Sequence, residues 1–239
     1  MDKCPGMRII MRLKYIKGSE DYVAGSEYTV NTPEEYKGTW NALFNNGCDK
    51  KINLEIGMGK GNFITALARL HPDMNYIGIE RYSSVLLKAV KKRESMEGCR
   101  NLLFLCADAA KIDNYFSAGE VSKIYLNFSD PWPKERHAKR RLTSPLYLKL
   151  YEGILSDDGC VEFKTDNKGL FDYSLEQFKK RGWKIVYLDY NIHNGETPED
   201  KAAYRLKDGQ ENVMTEYEEK FSAKGNPIMK LTAYKPEEA

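Results

Sequence analysis

Three carboxylates and a glycine-rich turn recur along this chain at spacings that suit a single nucleoside. The segment 54–63 (LEIGMGKGNF) sets Gly57, Gly59 and Gly61 where a short apolar run hands over to a helical pattern. Glycine there admits positive φ and lets the backbone come close to a ligand resting on a helix N-terminus. The turn departs from two common nucleotide loops. The third glycine of G-x-G-x-x-G would fall on Asn62, and the G-K-[ST] ending of a phosphate loop is missing. Glu80 closes the next apolar run, 23 residues beyond Gly57, where a carboxylate can accept from both ribose hydroxyls. Asp108 follows the third run, placed to accept from an exocyclic adenine amine. Each acid alone is an ordinary loop residue. With Glu55, Gly57 and Gly59 they describe an adenosine site, although a nicotinamide enzyme would also use an acid at Glu80.

A second constellation fills 127–141 (NFSDPWPKERHAKRR). Asp130 lies just past the run KIYLNF, and Pro131 and Pro133 stiffen the chain around Trp132 and remove backbone donors. An indole held this way can offer a face on which a base stacks, worth roughly 1–3 kcal/mol. From Lys134 to Arg141 there are five Lys or Arg residues, one Glu and His137. Arg136, His137, Lys139, Arg140 and Arg141 are therefore expected to meet nucleic-acid phosphates, which supply affinity and register without reading sequence. Asp130 is the candidate active-site acid.

The elements that must bring these groups together are legible as a repeat. Apolar runs at 52–56, 74–80, 101–107, 123–128, 159–165 and 183–189 alternate with helical patterns. Runs read as apolar on both faces, joined by helical crossovers, predict an α/β doubly wound, mainly parallel sheet, with the acids at its carboxyl edge. The final run at 227–235 completes seven strands and is expected antiparallel, beside the strand at 183–189. Residues 1–47 fit the repeat poorly and read as an N-terminal arm or strap, leaving 48–239 as the catalytic domain. Five basic residues and one acid in the first seventeen allow that arm to touch a polyanion.

Composition excludes several classes. The 239 residues are 41% hydrophobic and 30% charged, a globular composition rather than a disordered or fibrous one. No apolar run approaches the ~20 residues of a membrane span, and the basic residues in MRIIMRLKYI interrupt any secretory leader. Five scattered cysteines with no C-x-x-C pair support neither a disulfide framework nor a zinc site. Cys106 and Cys160 are expected as small core residues. A reducing cytoplasm is the expected compartment. The net charge of +2 argues against an all-basic surface but leaves room for one basic face.

Taken together, EIGMGKG, GIER around Glu80, Asp108, NFSDPWPK, the basic run, FKTDN around Asp166 and TEYEEKF resemble the tRNA (guanine-N7)-methyltransferase family, over about residues 52–235. The resemblance implies a class I methyltransferase that uses S-adenosylmethionine, without a metal, on guanosine 46 of the tRNA variable loop. It implies cofactor contacts from Glu55, Glu80 and Asp108, an active-site role for Asp130, and substrate contacts from Lys134, Asp166, Thr215, Glu216, Tyr217 and Glu218. The last four could not be picked from spacing, since TEYEEK also reads as an exposed helical turn. The implied partner is tRNA, with the protein a monomer or homodimer. Methylation of an exocyclic base amine, and a non-catalytic RNA-binding protein of the same fold, remain the competing readings.

Overall fold

Strands alternating with helical crossovers decide the architecture. The computed structural model describes residues 15–44, 52–194 and 212–237. Seven strands, β1 (Ile52–Ile56), β2 (Asn75–Glu80), β3 (Leu102–Cys106), β4 (Val121–Asn127), β5 (Leu155–Thr165), β6 (Lys184–Asp189) and β7 (Met229–Tyr234), form one sheet in the order β3-β2-β1-β4-β5-β7-β6. Neighbours from β3 to β5 pair in parallel, while β7 pairs antiparallel with both β5 and β6. The order reverses between β1 and β4, and the crevice at such a reversal is where doubly wound sheets bind ligands.

The described helices are α1 (Ser19–Ala24), α2 (Asn62–Leu70), α3 (Ser83–Glu94), α4 (Ile112–Tyr115), α5 (Pro145–Ile154), α6 (Lys168–Lys180) and α7 (Glu216–Ser222). One sheet face is mainly apolar. Ile52, Leu54, Ile77, Ile79, Ile124, Leu126, Val161, Phe163 and Leu231 join Leu148, Phe171 and Phe178 from α5 and α6 in one core. Trp40 is sealed in the same core, its Nε1 donating to the Tyr115 carbonyl at 2.8 Å.

The other face corrects the expectation of strands apolar on both sides. Asn53, Glu55, Lys123, Glu162, Lys164, Lys230 and Thr232 are buried on it, because strand side chains alternate and these occupy every second position. Burial there is sustained by pairing: Lys123 and Lys230 approach the Glu162 carboxylate at 2.9 and 3.4 Å. Burial pushes that carboxyl up, but the two ammonium groups overcome it and hold it below the usual range. Among the described residues, apolar cover on this face lies over the β1–β3 half and Tyr125 of β4, under Phe63, Ile64, Leu67, Leu86 and Val90 of α2 and α3.

Residues 28–30 run along the outer edge of β3, with Val30 N donating to Phe104 O at 3.0 Å and Phe104 N to Tyr28 O at 2.8 Å. That pairing occupies an edge that would otherwise stand open. The basic start of the arm, residues 1–14, and the proposed boundary at 47/48 lie outside the described residues. Cys106, expected in the core, is exposed because it is the last residue of β3, at the lip of the crevice; Cys160 is buried as expected. Among the described residues no helix is long and apolar enough to cross a membrane, and no cluster of His, Cys, Asp or Glu could hold a metal ion.

Candidate active site

The glycine turn between β1 and α2 holds Gly57, Gly59 and Gly61 at φ of 72°, 59° and 70°, a region that penalises any side chain by roughly 1–2 kcal/mol. Gly61 is fixed further by packing, since a Cβ would sit 2.8 Å from that of Ala89. A Cβ on Gly59 would meet nothing within 4 Å among the described residues, so the turn is open to a ligand there. Glu80 accepts from Gly59 N at 3.1 Å and from Tyr82 N at 3.0 Å, and the Arg81 N–H also bears on its carboxylate. Burial raises its pKa, the backbone N–H groups oppose that rise, and the charge of Asp130 adds to it. Asp108 caps the short turn after β3 by accepting from Ala110 N at 3.0 Å, with Arg81 3.7 Å from its other oxygen. Beyond β3 a hollow of about 240 Å³ is lined by Val30, Pro33, Cys106, Asp108, Lys111 and Tyr115.

Glu55 sits deeper than the other acids. Its carboxylate is buried, accepting from Ile64 N at 3.2 Å and Asn127 Nδ2 at 3.0 Å. Burial pushes its pKa up to about 7 against those hydrogen bonds. It therefore ties β1 and β4 to the first turn of α2 beneath the crevice rather than lining its open wall. Asn127, which the sequence reading passed over, keeps a buried Oδ1 with no partner among the described residues.

Asp130 is exposed on a loop of unusual backbone. Phe128 and Trp132 have φ of 51° and 40°, conformations that non-glycine residues keep only where the surroundings impose them. Arg140 lies over the Trp132 ring at 4.9 Å and His137 meets its edge at 5.7 Å, so one indole face already carries a cation. Lys134, Arg136, Lys139 and Arg140 are exposed and His137 is half-buried. Arg141 differs from them: it is 8% exposed and turned inward, so the expectation that it meets phosphate does not fit its position.

The C-terminal segment closes the crevice from the far side. Thr215 caps α7, its Oγ1 accepting from Glu218 N at 2.9 Å. Glu216 reaches the glycine turn, where Lys60 and Asn62 donate to it at 2.9 Å each, and Lys60 above all holds its carboxyl below the usual range. Tyr217 donates to Asp166 at 3.1 Å and packs on Phe128 at 4.8 Å between centroids. Glu218 is fully buried and pairs with the equally buried Lys164 at 2.7 Å, with His193 3.3 Å away. Glu218 is thus a structural anchor and is closed to direct contact with a substrate. A lysine amid the apolar run of β5 was the available signal for this pair, because a buried ammonium requires a counter-charge.

A family model described as "Putative methyltransferase" matches residues 49–231. The tRNA (guanine-N(7)-)-methyltransferase of Lachnoclostridium phytofermentans is 51% identical over 228 residues, covering 95% of this chain and all of that protein. The protein of that name from Bacillus subtilis is 44% identical over 91% of this chain and 96% of its own length. The chain belongs to the tRNA (guanine-N7)-methyltransferase family. Among solved structures, the 16S rRNA methyltransferase KamB superposes with a TM-score of 0.58 at 15% identity, over 83% of this chain and 94% of that one. A 16S rRNA (adenine(1408)-N(1))-methyltransferase from Catenulisporales acidiphilia gives 0.56 at 10% identity, over 87% and 92%. Those two likenesses establish the class I methyltransferase fold. Within the family's architecture, the acids at the ends of β1, β2 and β3, the glycine turn and the loop after β4 meet at one edge of the sheet.

Proposed function

We propose that this protein transfers a methyl group from S-adenosylmethionine to N7 of guanosine in tRNA, at position 46 of the variable loop, in the cytoplasm. The observation that carries this reading is the convergence on one sheet edge of a nucleoside-type cradle and, beside it, an exposed acid on a strained loop that continues into a basic rim. The residues present fit the cofactor. Gly57 and Gly59 leave open backbone, Glu80 offers a carboxylate at the end of β2 to a ribose hydroxyl, Asp108 stands at a hollow of about 240 Å³, and Asn127 Oδ1 is a buried acceptor awaiting a donor. When bound, S-adenosylmethionine supplies an electrophilic methyl group on a sulfonium.

Guanine N7 carries an in-plane lone pair and no proton, so no side chain has to act as a strong base. The protein's task is placement, and holding reactants at near-attack distance can supply ~7–11 kcal/mol of the barrier. Asp130 accepts hydrogen bonds from guanine N1–H and the N2 amine, and its charge favours the positive charge that develops on the purine. Tyr217 and Asp166 flank the same opening. Lys134, Arg136, Lys139 and Arg140 hold the RNA backbone and help offset the few kcal/mol needed to draw the base out of its stack. Asp130→Ala tests the assignment: cofactor affinity measured by calorimetry should stay within about threefold while methyl transfer to tRNA falls at least a hundredfold, on the scale of losing one positioned polar group. Near-normal transfer by that variant would contradict it.

A further inference from the structure

Arg141 is the one cation of the run 134–141 that the fold takes out of solvent, and its bonds lead back to the loop that carries Asp130. Its Nε donates to Pro131 O and its NH2 group to Trp132 O, both at 3.1 Å. The guanidinium lies over the Tyr173 ring at 4.2 Å. Pro131 and Pro133 have no N–H, so this stretch can be held mainly through its carbonyls. The planar fork of arginine carries two donors in the geometry that adjacent carbonyls require. The upstream side is pinned separately, where Phe128 N donates to Lys164 O at 2.9 Å. Asp130 therefore stands between two non-glycine residues with left-handed backbone, Phe128 and Trp132, each costing about 1–3 kcal/mol unless its surroundings hold it.

We infer that Arg141 is a positioning residue for Asp130: it braces the strained Pro131–Trp132 carbonyls against Tyr173 and so fixes the acid in the crevice, while taking no part in binding RNA phosphate. This rests on the reading of Asp130 as the active-site acid. The two roles for Arg141 separate cleanly in experiment. A brace sets the rate of the chemical step, whereas a phosphate contact sets affinity and its dependence on salt.

Arg141→Ala and Arg141→Lys would be assayed for kcat, for KM toward an unmodified tRNA transcript, and for the salt dependence of tRNA binding, with Asp130→Ala alongside. In both Arg141 variants kcat should fall about tenfold to a hundredfold, the cost of roughly 1 Å of misplacement, with KM and salt slope unchanged. Lysine should fail to rescue, and added methylguanidinium should restore part of the rate to Arg141→Ala alone. A salt slope lower by about one with kcat intact would overturn the inference, because that is the signature of a lost phosphate contact. Should Arg141→Ala fail to bind cofactor, Tyr173→Leu decides: a smaller fall in kcat at constant slope supports the brace, and an unchanged kcat overturns it. Full turnover in Asp130→Ala would overturn the reading of Asp130 itself, and with it the route assigned to Arg141, whatever the Arg141 variants do.

Discussion

Glu55 is an ionisable group sealed under a ligand crevice, and the sign of its effect on stability follows from its surroundings. Its pKa rises from 4.5 to about 7 because burial disfavours the anion. A carboxyl whose pKa is raised by folding stabilises the protein fully below its unfolded value and loses that contribution as pH climbs through the folded one. The ligand-free enzyme should therefore lose on the order of 3 kcal/mol from this group between pH 4.5 and about 7. Glu55→Gln should flatten that part of the profile and unfold at higher urea than the parent at pH 8; an unchanged pH profile would show that the carboxylate stays ionised throughout. The sequence placed Glu55, Glu80, Asp108 and Asp130 correctly at strand ends, because a doubly wound sheet leaves the carboxyl edge as their common destination. It could not separate Arg141 from Arg140. Adjacent cations in one run look alike until the fold turns one toward two proline-flanked carbonyls and leaves the other over Trp132.

At the level of elements, the site depends on two junctions. The first is the glycine turn. Gly61→Ala should cost more stability than Gly59→Ala, since its Cβ would collide with Ala89 at 2.8 Å in addition to the ~1–2 kcal/mol of left-handed strain that both share. Gly59→Ala should instead weaken cofactor binding more than it lowers the melting temperature, and calorimetry beside thermal unfolding distinguishes the two patterns. The second junction is α7 on β5. Removing one member of a buried ion pair leaves an uncompensated charge, so Glu218→Ala should destabilise by about 3–5 kcal/mol, whereas Lys164→Met with Glu218→Leu should recover most of it. Denaturant unfolding of these two variants beside the parent checks this. The docking of α7 was not legible in TEYEEKF, because Tyr217 and Phe221 are a single aromatic pair on a seven-residue helix, too short a stripe to announce what it covers. Its anchor is a lysine more than fifty residues earlier.

Across the whole molecule, the near-neutral total conceals a division by location. Acids gather at the carboxyl edge of the sheet, cations gather on the loop beyond β4, and a buried polar face with its own paired charges runs beneath both. That face explains why β1, β4, β5 and β7, read as apolar on both sides, proved mainly apolar on only one, while β2 and β3 keep Tyr76, Leu102 and Phe104 on the second: burial on both faces was right, and internal pairing replaced apolar side chains over the rest. The basic rim makes a separable prediction. Neutralising Arg136, Lys139 and Arg140 together should weaken tRNA binding and reduce its salt slope by about two to three, with cofactor affinity unchanged in a parallel titration. An unchanged slope would move the RNA surface to another face. The central claim, methyl transfer to N7 of a guanosine in the variable loop, is tested most directly by incubating the protein with S-adenosylmethionine and an unmodified tRNA transcript, then cleaving the RNA chemically at N7-methylguanosine. A single break at position 46, absent when the transcript carries adenosine there, is the predicted result; methyl incorporation with no such break would contradict it.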